Sequence, residues 1–205
     1  MEYSLHHFKI LTLKHTSTLL LFLSIILCSS CGLFSINGGF RGLNSYYGRT
    51  MDENPELLFR PDNSIDICSQ KTNDTPKVYM INAAQLASCF PKEGNALVYL
   101  WRPNCSGKMC YSLNLLQEKC DKENIELFIV AEYYDTEKME INYKIERPIF
   151  GIDTEYYRTN LTSKYLSKFR FELTNKNDNN GPFLYFYNGR FIKSFKDIEE
   201  ISESQ

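Results

Sequence analysis

Ala96-Leu97-Val98-Tyr99-Leu100-Trp101-Arg102-Pro103-Asn104-Cys105 is the stretch on which the fold turns. Its first six residues are a continuous apolar run, the pattern of a strand buried on both faces of a sheet. Downstream, Met109 to Glu123 reads as a helix, because Met109, Leu113, Leu116 and Cys120 recur at helical spacing. Ile125-Glu126-Leu127-Phe128-Ile129-Val130 is the next buried strand, Thr136 to Ile145 a helix, and Pro148 to Ile152 a short strand. Thr154 to Phe171 reads as a longer helix, with Tyr157, Leu161, Tyr165 and Phe169 every four residues and Asp153 as its N-cap. Upstream, Val78 to Ile81 is a strand and Ala83 to Phe90 a short helix capped by Asn82.

Near the end, Phe183 to Tyr187 and Arg190 to Ser194 flank Asn188-Gly189. Asn-Gly between β-rich runs is the strongest short-range signal for a hairpin, since both turn residues need positive φ. A polar loop, Thr174 to Gly181, precedes it, and Lys196 to Ser204 reads as a terminal helix. Strands separated by helices imply a parallel sheet, to which the hairpin adds antiparallel edges. The expected class is α/β, a mixed sheet flanked by helices with a terminal β-hairpin.

The 205 residues, 43% of them hydrophobic, suffice for one ordinary domain once short segments are set aside. A formal net charge of −2 excludes the overall basic footprint of nucleic-acid binding. The 14 Tyr and 14 Phe serve a core and surface rather than a base-stacking platform.

Residues 1–30 read as a targeting segment. His6, His7, Lys9 and Lys14 give a basic start, and Leu19 to Leu27 is an apolar run interrupted only by Ser24, shorter than the ~20 residues of a spanning helix. Small residues before a cysteine, in Cys28-Ser29-Ser30-Cys31, resemble a bacterial lipobox, with Cys31 as the lipidated residue. The aliphatic residue expected three positions earlier is here Cys28. The resemblance implies a lipoprotein signal at 1–30, a Gly/Asn/Ser-rich tether at 31–75 and a folded domain at 76–205. It also implies attachment to a membrane of the cell envelope through the lipid on Cys31. The lack of an acidic run after Cys31 points to the periplasmic side. Cleavage there would remove all three histidines, His6, His7 and His15, and with them imidazole catalysis and His-ligated metal. The compartment would be oxidising, so disulfides would persist.

Two segments together resemble the thioredoxin-like superfamily, in particular its membrane-tethered TlpA-like members. One is Ala96 to Cys105, a strand, a Trp and a short loop to a cysteine. The other is Gly181-Pro182 followed by the hairpin. The resemblance covers roughly residues 77–200. It implies that Cys105 is the nucleophile at a helix start, that Pro182 is a cis-proline facing it, and that Trp101, Gly181 and Pro182 meet the substrate. A cysteine at a helix N-terminus meets unpaired N–H groups that favour thiolate, and Lys108 and Arg102 would add positive charge.

The sequence departs from the family at two points. The second cysteine is Cys110, a Cys-x4-Cys spacing with Lys108 in the usual resolving position. In one regular helix the two side chains would point ~140° apart, so closure requires a loop before the helix. The family's buried acid, six residues before the nucleophile, is here Tyr99. Cys68, Cys89 and Cys120 remain: Cys120 reads as a core residue, and Cys68–Cys89 as one of the pairings open. Two functions stay in view. One is a thiol–disulfide oxidoreductase using Cys105 and Cys110, with no cofactor and a protein thiol or disulfide as partner. The other is a redox-inert thioredoxin-like binding or assembly module with structural cysteines.

Overall fold

The computed structural model describes residues 42–62, 64–107, 110–177 and 180–204, the last three of these by backbone alone. The stretches that read as a signal segment and a lipobox, with Cys31, lie outside the described residues, as do Lys108 and Met109. Among the described residues, seven strands form one mixed sheet. They are β1 (Leu58–Phe59), β2 (Val78–Ile81), β3 (Asn95–Trp101), β4 (Ile125–Ala131), β5 (Ile149–Ile152), β6 (Phe183–Tyr187) and β7 (Arg190–Phe195). The helices are α1 (Tyr47–Glu53), α2 (Ala83–Ala87), α3 (Leu113–Lys122), α4 (Thr136–Met139) and α5 (Thr162–Thr174), and two 3₁₀ segments cover Ile67–Ser69 and Ile198–Ser204. Among the described residues no helix is long and apolar enough to cross a membrane.

The spatial order is β1-β2-β5-β4-β3-β6-β7. Strand β3 runs parallel to β4 over its whole length and antiparallel to β6 on its other side, and β7 returns antiparallel along β6. Alternation along β3 sorts its side chains between two cores. Leu97, Tyr99 and Trp101 join Leu113, Leu116 and Cys120 of α3 on one face. Ala96, Val98 and Leu100 join Leu86 of α2 and Tyr165, Phe169 and Leu173 of α5 on the other. This is why the run from Ala96 to Trp101 carries no polar residue.

Local signals explain most boundaries. Asn82 accepts from the Gln85 N–H at 2.9 Å while the Gln85 side chain accepts from the Asn82 N–H at 2.9 Å, a reciprocal cap that starts α2. The hairpin turn has φ of 49° at Asn188 and 71° at Gly189, and Asn188 ties back to Gly94 through two bonds of 2.8 Å. The register of β6 and β7 shifts at Tyr185/Phe186, a bulge beside the edge strand. That edge strand carries Arg190, Ile192 and Lys193, while the opposite edge, β1, has two residues.

Several expected helices are shorter or differently placed. The expected helix from Thr154 to Phe171 is a turn, a bridge and then α5. Arg158 takes a left-handed φ of 53°, and Leu161 pairs with Asn44 as a β-bridge, so the chain leaves helical geometry before Thr162. Asp153 still caps, accepting from the N–H groups of Glu155 and Tyr156 in the turn, and it also pairs with Arg60. The helix expected at 136–145 stops at Met139, and the terminal segment is 3₁₀ from Ile198. Within the stretch read as a tether, Leu57 and Leu58 are buried and β1 extends the sheet.

Candidate functional site

Strand β3 ends at Trp101, and the chain then passes through Arg102, Pro103 and Asn104 to Cys105. Tyr133 accepts from the Asn104 N–H at 3.2 Å, and the Asn104 side-chain amide donates to the Asp135 carboxylate, so the loop is held from the end of β4. Cys105 is exposed and disulfide-bonded to half-buried Cys110, with Cα atoms 5.5 Å apart. The loop between them closes on itself. The Cys110 N–H donates to the Gly107 carbonyl at 3.1 Å, and the Gly107 N–H donates to Cys110 Sγ at 2.9 Å. Tyr111 then anchors the loop: its hydroxyl donates to Asp197 at 2.9 Å and accepts from the Ile198 N–H at 3.3 Å, and its ring packs on Tyr99 and Phe183.

Two expectations fail here. Cys105 is not at a helix N-terminus, because α3 begins only at Leu113. The disulfide loop and the extended Ser112 (ψ 128°) take up the intervening residues, and a helix dipole acts only within its first turn. The Gly181–Pro182 peptide is trans, since the described residues contain no cis bond. The trans chain keeps Pro182 in line with the ladder: the Leu100 N–H donates to the Pro182 carbonyl at 2.8 Å, and Arg170 Nη1 donates to the Gly181 carbonyl at 2.8 Å. A Cβ at Gly181 would overlap the Phe195 carbonyl, so only glycine fits the close approach to β7.

Cys105, Gly181 and Pro182 nonetheless line one open cleft of about 450 Å³. Trp101 does not. It is 5% exposed and packs edge-on against Tyr143 at 5.8 Å, on the sheet face covered by α3. The cleft also takes in residues that no motif signalled: Arg102, Glu132, Ser163, Leu166, Ser167, Arg170 and Lys196. Glu132 follows β4, where its N–H donates to the Trp101 carbonyl at 2.8 Å and its own carbonyl accepts from the Tyr165 hydroxyl at 2.5 Å. Its side chain is 7% exposed and meets Arg102 Nε at 2.5 Å. Burial pushes its carboxyl above the ordinary range, an effect that Arg102 and Arg170 oppose. Burial likewise pushes the Tyr99 phenol up, so Tyr99 stays protonated and supplies no charge to the cleft. A single glutamate after a buried strand carries no pattern; only the fold brings Glu132 into the cleft that Cys105 also lines.

Glu132 makes stability depend on pH with a definite sign. Its folded titration lies above its unfolded one, so its contribution is complete below about pH 4.3 and is lost as pH rises through the folded value. Glu132→Gln is therefore expected to gain stability relative to wild type as pH rises toward neutrality. Arg102 is 65% exposed and can hydrate once its partner is neutral. Urea unfolding across that range checks this, and a difference between the two proteins that is constant with pH would sink it.

The second disulfide, Cys68–Cys89, lies away from the cleft and joins the 3₁₀ segment at Ile67–Ser69 to the chain after α2. Cys120 is a free thiol with no exposed surface, and burial raises its pKa to about 12, so it takes no part in exchange. Among the described residues no group of three or more His, Cys, Asp or Glu side chains is placed to hold a metal ion. Neither a family model, nor a curated protein, nor a solved structure matches this chain.

Proposed function

We propose that the chain is an extracytoplasmic, lipid-anchored protein of the thioredoxin-like class that exchanges thiols and disulfides through Cys105 and Cys110. The observation that carries the reading is an exposed cysteine bonded to a half-buried one, past the end of the central strand, in a cleft that Cys105 and Pro182 both line. The order β4-β3-β6-β7, with β6 and β7 antiparallel, supports the thioredoxin-like assignment. Two disulfides among the described cysteines agree with an oxidising compartment, to which a lipid on Cys31 would confine the domain.

In the reducing direction the Cys105 thiolate attacks one sulfur of a substrate disulfide. A Cys105–substrate disulfide forms and a substrate thiolate leaves. The Cys110 thiolate then attacks Cys105 Sγ, breaks the mixed bond and releases the second substrate thiol. Two electrons have passed to the substrate, and the Cys105–Cys110 disulfide is the oxidised product. A dithiol reductant returns the pair to the starting state.

The second reading, a redox-inert binding module, draws on the distance of Cys105 from the start of α3, which leaves its thiolate without helix stabilisation. One experiment separates the two. Pre-reduced wild type, Cys105→Ser and Cys110→Ser are compared in insulin reduction, and Cys110→Ser is searched for a trapped mixed disulfide at Cys105. Faster turnover by wild type together with the trapped adduct supports exchange. Equal rates in all three and no adduct leave the inert module.

A further inference from the structure

The loop that carries the Cys105–Cys110 disulfide aims a backbone donor at one of its two sulfurs. The Gly107 N–H donates to Cys110 Sγ at 2.9 Å. A second bond, from the Cys110 N–H to the Gly107 carbonyl at 3.1 Å, ties the two residues through their backbones. The approach of the Gly107 N–H to the Cys110 side chain therefore does not rest on the S–S bond alone. A disulfide sulfur is a weak acceptor and a thiolate a strong one, so this donor gains strength as negative charge reaches Cys110. The two cysteines also differ in access. Cys105 is exposed and lines the cleft, whereas Cys110 is half-buried.

From this asymmetry we infer the role of each sulfur when the disulfide opens: an incoming thiolate attacks Cys105 Sγ, and Cys110 leaves as a thiolate received by the Gly107 N–H. The inference rests on the exchange reading above and adds a catalytic group to it, the Gly107 amide, which touches a reacting atom. In the step itself a bond forms between the incoming sulfur and Cys105 Sγ. The Cys105–Cys110 bond breaks, and its electron pair goes to Cys110 Sγ. The charge brought by the attacking thiolate thus ends on Cys110, and the disulfide itself is the oxidant. A donor already aimed at the place where charge develops lowers the barrier without having to reorganise. A hydrogen bond to a thiolate lowers the pKa of its thiol, and a leaving thiol of lower pKa leaves faster. In reverse, the same donor holds Cys110 as the thiolate that closes a mixed disulfide at Cys105.

The test follows both cysteines in the full chain by peptide mass spectrometry. Trypsin cuts after Lys108 and so puts Cys105 and Cys110 on separate peptides. First, the reduced chain is alkylated briefly with iodoacetamide across the thiol titration range. Cys110 is expected to titrate about one unit below the ~8.5 of an ordinary thiol, and below Cys105. Next, the disulfide form is mixed with excess glutathione and quenched in acid, and the adduct is expected on Cys105. Gly107→Pro removes the donor and should slow this opening by about tenfold, the rate equivalent of one pKa unit. The comparison is with Gly107→Ala, which keeps the N–H and sets a Cβ 3.9 Å from Cys110 Sγ, an ordinary contact. A glutathione adduct on Cys110, or equal opening rates in the two Gly107 variants, overturns the assignment and leaves the exchange reading standing. So does a Cys110 midpoint at or above that of an ordinary thiol, a result read on wild type whether or not Gly107→Pro folds. If glutathione does not open the pair and insulin turnover matches the cysteine variants, the exchange reading falls. The alkylation midpoint then decides by itself whether Gly107 holds a thiolate at Cys110.

Discussion

Phe183→Ala is expected to lower the free energy of unfolding by about 3–5 kcal/mol. The ring has no exposed surface and follows Pro182 directly at the start of β6. It stacks on Tyr99 at 4.7 Å and on Phe195 at 5.5 Å, and meets Tyr111 edge-on at 5.2 Å. Truncation removes its transfer free energy and leaves a cavity bordered by three strands and the disulfide loop, none of which can collapse without breaking the β3–β6 ladder. Each lost aromatic pair adds about 0.5–1.5 kcal/mol beyond area alone. Because Tyr111 rests on this ring, the Cys105 and Cys110 amides should also lose protection in hydrogen exchange. A denaturant midpoint close to wild type would show that the stack is not what holds the sheet's antiparallel half to the loop.

Replacing Cys68 and Cys89 together by serine is expected to cost about 3 kcal/mol. Their bond closes a loop with a sequence separation of 21, and the chain-entropy estimate for that length is of this size. At one end Asp66 accepts from the Cys68 N–H at 3.0 Å and Arg147 donates to the Cys68 carbonyl; at the other, Cys89 is buried and its N–H donates to the Leu86 carbonyl at 3.0 Å. The matching double replacement of Cys105 and Cys110, whose separation is 5, should cost less, about 2 kcal/mol on the same estimate. Equilibrium unfolding of the two double variants gives the comparison. Equal losses, or a larger one at 105/110, would contradict the division into a structural bridge and a site disulfide.

The strands were legible because apolar runs such as Ala96–Trp101 and Ile125–Val130 reflect burial on both faces, and Asn188-Gly189 has the φ requirement of its turn. Helix ends were less so. Tyr157 and Leu161 continue the spacing of Tyr165 and Phe169, yet Tyr157 is buried from a turn: its hydroxyl accepts from the Ala83 N–H at 3.1 Å. Periodicity records which residues are buried and not which backbone buries them. At the site, Cys105 and Pro182 stood in recognisable contexts. Their surroundings, Glu132 and the α5 residues of the cleft, become neighbours only when β4 and α5 pack, and Glu132 draws its shifted titration from that packing. The expected helix start at Cys105 failed because the disulfide loop from Cys105 to Cys110 and helical dihedrals compete for the same residues.

The two rims of the sheet bear on how the molecule behaves in a crowd. A long, flat, apolar outer strand invites a second chain to dock backbone to backbone, the first step toward aggregates. Here one rim is two residues long, and the other sets Ile192 between Arg190 and Lys193 on a strand with a bulge against its neighbour. Strand addition is thereby disfavoured at both rims of the described sheet.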